Sequence, residues 1–340
     1  METENKRASP RRLVVAGFGD PAEVVCLETA GSMDLGPDEV RVRMRLASVN
    51  PSDLVTIAGA YPSRTPLPFV PGFEGVGVVE AVGNAASGLQ IGDRVLPIGS
   101  AGAWQDVRIA KASRCFRLPG TLSDQAAVAS YVNPLTALLM LRDRIGAAPG
   151  MRIAIDAAGS AIGRMLLRLA RRAGASPVAI VRDARSLSLL DGLELERVIV
   201  LPDVEDGPAA LGRIVRDRLG PAPLHAALDA VGGSLGEALH AALAPGGRFV
   251  HYGLLSGRPL PPDLPRRRLD VAFELFWLRQ WVHARPRTVL AERLDEAWAL
   301  VEAGVLASDV EACYPLDRAR DALRHAMRRG RSGKILLSMS

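Results

Sequence analysis

The chain changes its pattern of apolar and polar residues about a third of the way along its length. The first part holds short segments in which apolar and charged residues alternate, such as VRVRMRLASV at residues 40–49. A period of two is typical of a strand with one face in the core. From about residue 126, short apolar runs alternate with amphipathic stretches, as in a parallel sheet covered by helices on both faces. The pattern therefore predicts an irregular β-rich part followed by an α/β part.

The α/β part contains short apolar runs that we interpret as strands buried on both faces. We place these strands at residues 153–157, 177–181, 197–201, 226–230 and 248–252, with an amphipathic helix at residues 162–173. Four prolines between residues 259 and 265 then interrupt the pattern. Beyond them, WVHARPRTVLAERLDEAWALVEAG predicts a helix and KILLSM predicts a last strand.

Length and composition narrow the class of protein. With 340 residues, of which 48% are hydrophobic and 23% charged, the chain has the size expected for two globular domains. No apolar run approaches the roughly 18 residues of a membrane span, and the first residues, METENKRASPRR, lack the apolar segment of a signal sequence. We therefore expect a cytoplasmic protein without a membrane segment.

The cysteines and the charge exclude further classes. Cys26, Cys115 and Cys313 lie far apart, which argues against a disulfide framework and against a cysteine-based zinc site. An aromatic content of 4%, without a compact basic and aromatic stretch, argues against a nucleic-acid partner. The formal charge of +5 favours anionic ligands without naming one.

The segment RIAIDAAGSAIGRMLLRLARRAG predicts a strand, a turn of small residues and a helix. Such a turn can place a pyrophosphate on the exposed amides of a helix N-terminus. When Gly163 is aligned with the third glycine of the G-x-G-x-x-G fingerprint, the two earlier positions hold Ala158 and Ser160. Because this fingerprint is degenerate, the segment alone fits a dinucleotide site or any other α/β crossover.

The end of the next predicted strand, VRDAR, distinguishes between the two nicotinamide cofactors. An acidic residue there would bind the ribose hydroxyl of NAD, whereas arginines accept the 2′-phosphate of NADP. Arg182 and Arg185 can form a two-pronged phosphate clamp, while Asp183 can turn outward or cap the following helix. We therefore favour NADPH as the cofactor.

Three stretches resemble, in order and spacing, the catalytic domain of the medium-chain dehydrogenase/reductase superfamily: VRVRMRLASVNPSDL, PFVPGFEGVGVVEAVG and IGDRV. In zinc-containing members of that superfamily, a cysteine stands at the position of Asn50 and a histidine at the position of Phe73. The closely spaced cysteines of the structural zinc lobe are missing too. The resemblance therefore implies an enzyme that needs no metal.

A finer resemblance, to the mitochondrial-type 2-enoyl thioester reductases, rests on NPSDLVTIAGAYPS, YVNPLTALLML, VRD, FWLRQW and GKILL. It implies that Tyr61 is the catalytic tyrosine, and we place Asn50 and Trp277 with it in the expected catalytic set. It also implies a cofactor site made of Asn133, Thr136, Gly159, Ser160, Ala161, Ile162, Gly163, Arg182, Asp183, Arg185, Tyr252, Gly253, Leu254, Leu255, Phe276, Trp277, Leu278 and Lys334.

The fold that this resemblance implies is α/β, with a doubly wound parallel sheet of the Rossmann type and a β-rich GroES-like catalytic domain. We assign residues 129–283 to the Rossmann domain and residues 1–128 with 284–340 to the catalytic domain, and we expect the active site in the cleft between them. A homodimer is also expected, with the strand at residues 248–252 pairing edge to edge.

The expected reaction is the NADPH-dependent reduction of a double bond in an enoyl thioester carried by coenzyme A or by an acyl carrier protein. Tyr61 would donate a proton and stabilise the charge that develops on the thioester oxygen. Two alternatives stay open. One is an NADPH-dependent reductase of free enones or quinones, and the other is a protein that binds NADPH in a structural or sensing role without catalysis.

Overall fold

The structure, a computed structural model, describes residues 9–31, 33–201 and 207–339. The chain forms two compact units. The first unit contains the chain up to Val132, Val282–Glu302 and everything from Ala307 onwards, and the second contains Asn133–Trp281 and Ala303–Leu306. These divisions fall within a few residues of the predicted domain boundaries, but the return of Ala303–Leu306 to the second unit has no counterpart in the sequence pattern.

The elements follow one another in a β-rich, then an α/β, then a mixed order. The strands are β1 (Arg11–Val15), β2 (Val25–Thr29), β3 (Glu39–Val49), β4 (Gly75–Val82), β5 (Arg94–Pro97), β6 (Val107–Lys111), β7 (Cys115–Arg117), β8 (Arg152–Ile155), β9 (Ser176–Val181), β10 (Arg197–Val200), β11 (Leu224–Asp229), β12 (Leu243–His251), β13 (Ala272–Leu275), β14 (Val310–Pro315) and β15 (Lys334–Ser338). The α-helices are α1 (Pro21–Val24), α2 (Pro51–Ile57), α3 (Asp124–Ala127), α4 (Val132–Leu138), α5 (Ala161–Arg172), α6 (Gly207–Leu219), α7 (Gly233–Ala242), α8 (Leu264–Arg267), α9 (Leu278–His283), α10 (Arg287–Glu302) and α11 (Ala319–Met327).

The first unit is built on a mostly antiparallel sheet with strand order β14-β15-β3-β4-β5-β7, in which β6 also pairs with β3. The alternation predicted for residues 40–49 is confirmed in the first half of that range, because Val40, Val42 and Met44 are buried while Arg41 and Arg43 are partly exposed. The alternation does not continue to the end, since residues 47–49 are all buried. Trp104 is also fully buried in this core. The last strand, β15, lies between β14 and β3, so the C-terminal segment occupies the interior of the sheet.

The second unit is built on a parallel sheet with strand order β10-β9-β8-β11-β12-β13. Every neighbouring pair in it is parallel. The chain starts in the middle at β8, winds outward to β10, returns beside β8 and winds outward the other way, as in a doubly wound Rossmann sheet. This confirms the predicted fold class. The five predicted strands correspond to β8–β12 with small shifts at their ends.

Two details of the prediction from sequence, a sheet edge and a helix, were wrong. The strand at residues 248–252 was expected to form a free edge, but β12 is hydrogen-bonded to β11 on one side and to β13 on the other. On this side of the sheet the edge strand is β13, and the opposite edge strand is β10. The single helix predicted near residue 290 is two helices, since α9 ends at His283 and α10 begins at Arg287. Pro286 separates them, because a proline disfavours helical geometry in the residue before it.

The connection from the first unit into the second is helical. α4 continues directly into a π-helix, Leu139–Ile145, which ends at Gly146 with a left-handed φ of 66°.

Among the helices in the described ranges, none combines the length and the apolar character needed to cross a membrane.

Candidate functional site

The turn between β8 and α5 ends in a side-chain cap at the helix N-terminus. Ser160 precedes the helix, and its hydroxyl accepts a hydrogen bond from the amide of Gly163 over 3.1 Å. This contact satisfies one amide of the helix N-terminus and leaves the amides of Ala161 and Ile162 as the first two of α5. Ala157, earlier in the turn, has a φ of 43°, which is left-handed and therefore costly for a residue with a side chain.

Gly163 meets the steric requirement of the third fingerprint glycine. A Cβ at this position would lie 2.5 Å from the carbonyl oxygen of Ala157 and 2.8 Å from the Cα of Ala158. These are backbone atoms that cannot move aside, so α5 packs against the end of β8 only with glycine here. A Cβ on Gly159 would lie 3.0 Å from the Cβ of Ser186, so the turn also approaches the loop after β9 closely.

The loop after β9 presents one guanidinium rather than a pair. Asp183 accepts a hydrogen bond from the amide of Arg185 over 2.8 Å and so caps the 3₁₀ turn Ala184–Leu190. The Arg185 side chain folds back onto the same carboxylate, with Nε 2.7 Å from Oδ2. These contacts lower the pKa of Asp183 to about 2. Because Arg185 is held by Asp183, the two-pronged clamp is not preformed, whereas the Arg182 side chain is exposed.

The other predicted cofactor residues of the second unit differ in their exposure. Asn133, Gly159, Ser160, Ala161, Ile162, Asp183, Tyr252, Gly253 and Leu278 are half-buried, Arg182, Arg185, Leu254, Leu255 and Trp277 are exposed, and Thr136, Gly163 and Phe276 are buried. Asn133 and Thr136 lie three positions apart on α4 and therefore share one face. The ring of Phe276 packs beneath the guanidinium of Arg144, so this side chain belongs to the core rather than to an exposed surface.

The two aromatic residues of the expected catalytic set are both accessible. Tyr61 is 38% exposed and precedes the 3₁₀ turn Pro62–Arg64 in the first unit. Trp277 is 37% exposed and directly precedes α9 in the second unit. Trp281, four residues further, is buried.

Asn50 and Lys334, which we expected in the catalytic and cofactor sets, are instead buried together in the first unit. The Asn50 amide donates both hydrogens, to the Ser48 hydroxyl over 2.9 Å and to Glu74 over 3.0 Å. Its oxygen accepts a hydrogen bond from the Lys334 ammonium group. Since Asn50 is only 1% exposed and uses both amide hydrogens internally, it serves as a connector within the fold and not as a contact for substrate.

Glu74 is the centre of this buried polar network, and the sequence analysis did not single it out. One carboxylate oxygen accepts from the Ser48 hydroxyl over 2.7 Å and lies 3.8 Å from the ammonium nitrogen of Lys334. The other accepts from the amides of Tyr131 and Val132 over 2.7 and 2.9 Å. Glu74 therefore fixes the last residues of the first unit before the chain enters the second. The only sequence signal was an acidic residue inside the apolar segment PGFEGVG.

Asp53 adds a second buried carboxyl to the network. It accepts hydrogen bonds from the amides of Asn50 and Phe73 over 2.8 and 2.9 Å. Burial nevertheless raises its pKa from 3.8 to about 7, and burial lowers the pKa of Lys334. Because the folded chain holds the Asp53 proton more tightly than the unfolded chain does, this group makes the fold less stable as the pH rises from about 4 to about 7.

The positions that hold zinc ligands in metal-containing dehydrogenases do not fit a metal in this chain. Asn50 is saturated by protein partners, and Phe73 has no ligand atom in its side chain. Within residues 9–31, 33–201 and 207–339, no group of three or more His, Cys, Asp or Glu side chains could hold a metal ion.

Comparison with known proteins places these features in a family. Residues 36–140 match the alcohol dehydrogenase GroES-like domain, and residues 196–337 match the family described as zinc-binding dehydrogenase. The chain is 32% identical to the mitochondrial enoyl-acyl-carrier-protein reductase of Rattus norvegicus over 333 residues, which are 97% of this chain and 88% of that one. The chain belongs to the medium-chain dehydrogenase/reductase superfamily.

Solved structures of this superfamily have the same fold. A putative NADPH:quinone reductase from Bacillus thuringiensis is 30% identical, with a TM-score of 0.86 over 97% of this chain and 99% of that chain. A mycobacterial protein solved in complex with NADPH is 25% identical, with a TM-score of 0.86 over 97% of this chain and 100% of that chain. The superfamily membership that the sequence motifs implied is therefore confirmed.

Proposed function

We propose that this chain catalyses the NADPH-dependent reduction of a carbon–carbon double bond conjugated to a thioester carbonyl. The acyl group would be carried by coenzyme A or by an acyl carrier protein. The observation that carries the proposal is the 32% identity to a mitochondrial enoyl-acyl-carrier-protein reductase across 97% of the chain. The retention of Tyr61 within the segment NPSDLVTIAGAYPS supports it.

The residues of the second unit fit NADPH. Gly163 leaves room for the close turn that a pyrophosphate needs, and the first amides of α5 suit its negative charge. The exposed guanidinium of Arg182 suits the 2′-phosphate. Bound NADPH would supply a hydride to the β-carbon of the double bond. The phenol of Tyr61 would donate a hydrogen bond to the carbonyl oxygen, where negative charge develops, and would provide a proton.

A second candidate function is the reduction of quinones or free enones. It is supported by the name of the Bacillus thuringiensis relative, a putative NADPH:quinone reductase that matches almost the whole chain. Steady-state rates with crotonyl-CoA and with a simple quinone, each with NADPH, separate the two candidates. We expect a higher kcat/KM for crotonyl-CoA, and a clear preference for the quinone would contradict the enoyl thioester proposal. Bound NADPH without oxidation by either class of acceptor would instead favour a structural or sensing role.

Replacing Arg182 with alanine is expected to narrow the preference for NADPH over NADH. The guanidinium has a phosphate to neutralise only in NADPH, so its loss should weaken NADPH binding by about 1–3 kcal/mol and leave NADH binding nearly unchanged. Fluorescence titrations of both cofactors measure the effect. Arg171→Ala is the control, because Arg171 lies in the last turn of α5 and pairs with Glu194. Equal affinities of the unmodified protein for the two cofactors would refute this assignment.

A homodimer is expected to form through β13, one of the two edge strands of the parallel sheet. Two such strands related by a twofold axis would continue the sheet from one subunit into the other. Leu275, at the end of β13, is 65% exposed, and a lysine there should oppose pairing. Light scattering should show a dimer that Leu275→Lys shifts towards monomer. Ile91→Lys, at an exposed turn of the first unit, should leave the dimer intact, and a monomeric parent protein at micromolar concentration would exclude the interface.

A further inference from the structure

Two carboxyl groups and an imidazole lie together at the carboxyl edge of the parallel sheet. Asp156 directly follows β8, Asp229 ends β11 and His251 ends β12, and these three strands are neighbours in the sheet. Both aspartates are fully buried, and the His251 side chain is 14% exposed. The reversal of strand order occurs between β8 and β11, which is where sheets of this type bind their ligands.

Asp229 is surrounded by hydrogen-bond donors and is therefore ionised. Its Oδ1 accepts from the amides of Val231 and Gly232 over 3.1 and 2.9 Å, and its Oδ2 lies 2.6 Å from Nδ1 of His251. Gly236 of α7 packs directly against it, since a Cβ there would lie 2.6 Å from Oδ2. Although burial opposes ionisation, these donors hold the pKa of Asp229 below its usual value.

Asp156 has the opposite environment. Its Oδ1 accepts from the amide of Ala230 over 2.7 Å, but no protein donor in the described part of the chain reaches its buried Oδ2. The Asp156 and Asp229 carboxyl groups converge on the same short segment, because they accept hydrogen bonds from the adjacent amides of Ala230 and Val231. Two ionised carboxylates can only accept, and Asp229 is ionised, so a hydrogen bond between the two side chains requires a proton on Asp156. Burial and the charge of Asp229 both raise the pKa of Asp156 well above its usual value.

The two aspartates bind one loop directly and a second loop through it. The first is residues 230–232, and the second, residues 252–256, includes predicted cofactor residues. Asp156 and Asp229 bind the amides of residues 230–232, as described above. The loop after β12 is attached to those residues by its own backbone, because the amide of Leu255 donates to the Ala230 oxygen over 3.0 Å and the amide of Ser256 donates to the Val231 oxygen over 3.1 Å. A Cβ on Gly253 would lie 2.7 Å from the Ala230 oxygen, so the two loops are in close contact.

We propose that Asp156 is protonated and donates a hydrogen bond to Asp229, and that this pair, together with His251, positions the loop from Tyr252 to Leu255 for the cofactor. The proposal rests on the proposed function, since the loop is assigned to NADPH only by family resemblance. The three residues are positioning residues, because each acts through the backbone of residues 230–232 and 252–256. Tyr252 is the remaining titratable group that faces the pair, and its buried hydroxyl has no partner among the described residues.

A protonated Asp156 makes the two aspartates respond differently to the same substitution. In Asp156→Asn the amide can donate to Asp229 while its oxygen still accepts from the Ala230 amide, so the hydrogen-bond pattern is retained. In Asp229→Asn the negative charge that faces His251 is lost. The carboxylate accepts from two amides and lies against an imidazole, whereas the asparagine side chain has only one accepting oxygen and carries an amide group that donates. We therefore expect Asp229→Asn to raise the Kd for NADPH at least about tenfold, and Asp156→Asn to raise it several times less.

If Asp156 carries a proton, this group makes the stability of the parent protein depend on pH, and Asp156→Asn lacks this contribution. The folded chain binds the Asp156 proton more tightly than the unfolded chain does, so its stability falls as the pH rises above the ordinary carboxyl value of 3.8. In Asp156→Asn this contribution is absent. The melting temperature of the parent protein should therefore fall more steeply than that of the variant as the pH rises above about 4. Parallel curves would overturn the assignment of the proton.

The test uses the full chain and measures the hydrogen exchange of the loop amides as well as the affinity for NADPH. Hydrogen exchange of the Leu255 and Ser256 amides, measured without NADPH, should be at least about tenfold faster in Asp229→Asn and unchanged in Asp156→Asn. If Asp229→Asn does not fold, His251→Leu removes one donor of the same contact and should speed exchange in the same direction. An equal increase of the exchange rates in both aspartate variants, or unchanged exchange rates in every variant, would refute the proposal.

Failure of the proposed function gives a different result. A parent protein that binds no NADPH, but shows the steeper pH slope and the faster exchange in Asp229→Asn, would contradict the cofactor assignment while leaving the positioning role intact. A parent protein that binds NADPH with an affinity that neither aspartate substitution alters would retain the proposed function and exclude the positioning role.

Discussion

Replacing Tyr61 with phenylalanine is expected to lower the turnover of an enoyl thioester about 10²–10³-fold while leaving the affinity for NADPH nearly unchanged. The substitution keeps the ring and removes only the hydroxyl. The proposed hydrogen bond acts on charge that develops during reduction, so its loss should reduce kcat and kcat/KM together. Steady-state kinetics with crotonyl-CoA, together with fluorescence titration of NADPH, measure both quantities. A loss of turnover of only a few fold would assign Tyr61 to packing.

The chain offers a matched control for this substitution. Tyr314, on β14, also belongs to the first unit, and its hydroxyl lies 2.9 Å from Nδ1 of His325. Tyr314→Phe removes an equivalent hydroxyl from a contact that we place outside the reaction. It should lower thermal stability slightly and leave turnover unchanged. Equal losses of turnover in the two variants would show that the effect of Tyr61→Phe is a general loss of folded structure.

Replacing Lys334 with methionine is expected to lower the free energy of unfolding by about 3–5 kcal/mol, because it leaves Glu74 as an uncompensated buried charge. The Lys334 and Glu74 side chains are 5% and 0% exposed, so water cannot take over the role of the ammonium group. Urea denaturation followed by circular dichroism measures the change. The double variant Glu74→Gln/Lys334→Met should recover much of the loss, since it removes both charges together.

Lys111→Met is the corresponding control at the surface. Lys111 pairs with Asp38 over 2.8 Å, but both side chains are more than half exposed. Exposed pairs contribute little to stability because water screens them, so this variant should unfold at nearly the urea concentration of the parent protein. A similar small effect for Lys334→Met would mean that the buried network does not depend on the Lys334 charge.

The sequence predicted those features that depend on local pattern. The period of two in β3, the apolar runs of β8–β12 and the amphipathic face of α5 each occupy one continuous segment, so local rules were sufficient. The short strand β13 was missed because its four residues, AFEL, are too few for a pattern and include the charged Glu274. That omission also led to the wrong choice of the sheet edge.

The buried polar networks depend on contacts between distant parts of the chain. Glu74 binds groups at residues 48, 50, 131 and 132, and no sequence spacing relates these positions. Asp156 and Asp229 are similar, since each is simply an acidic residue at the end of an apolar strand. The turn at Gly163 was interpreted from its sequence, whereas the capture of Arg185 by Asp183 depends on a side-chain conformation that no motif specifies.

The central place of β15 in the first sheet determines the order in which the two units can be completed during synthesis. β3 and β14 are joined through β15, which follows both of them in the chain. The strands of the second unit, by contrast, are all synthesised before β14 begins. Because domains generally fold as units while the chain emerges, the parallel sheet can form before β15 is available to the first unit. Until β15 is synthesised, residues 46–49 of β3 lack this partner, and such an unpaired strand edge can pair with another chain.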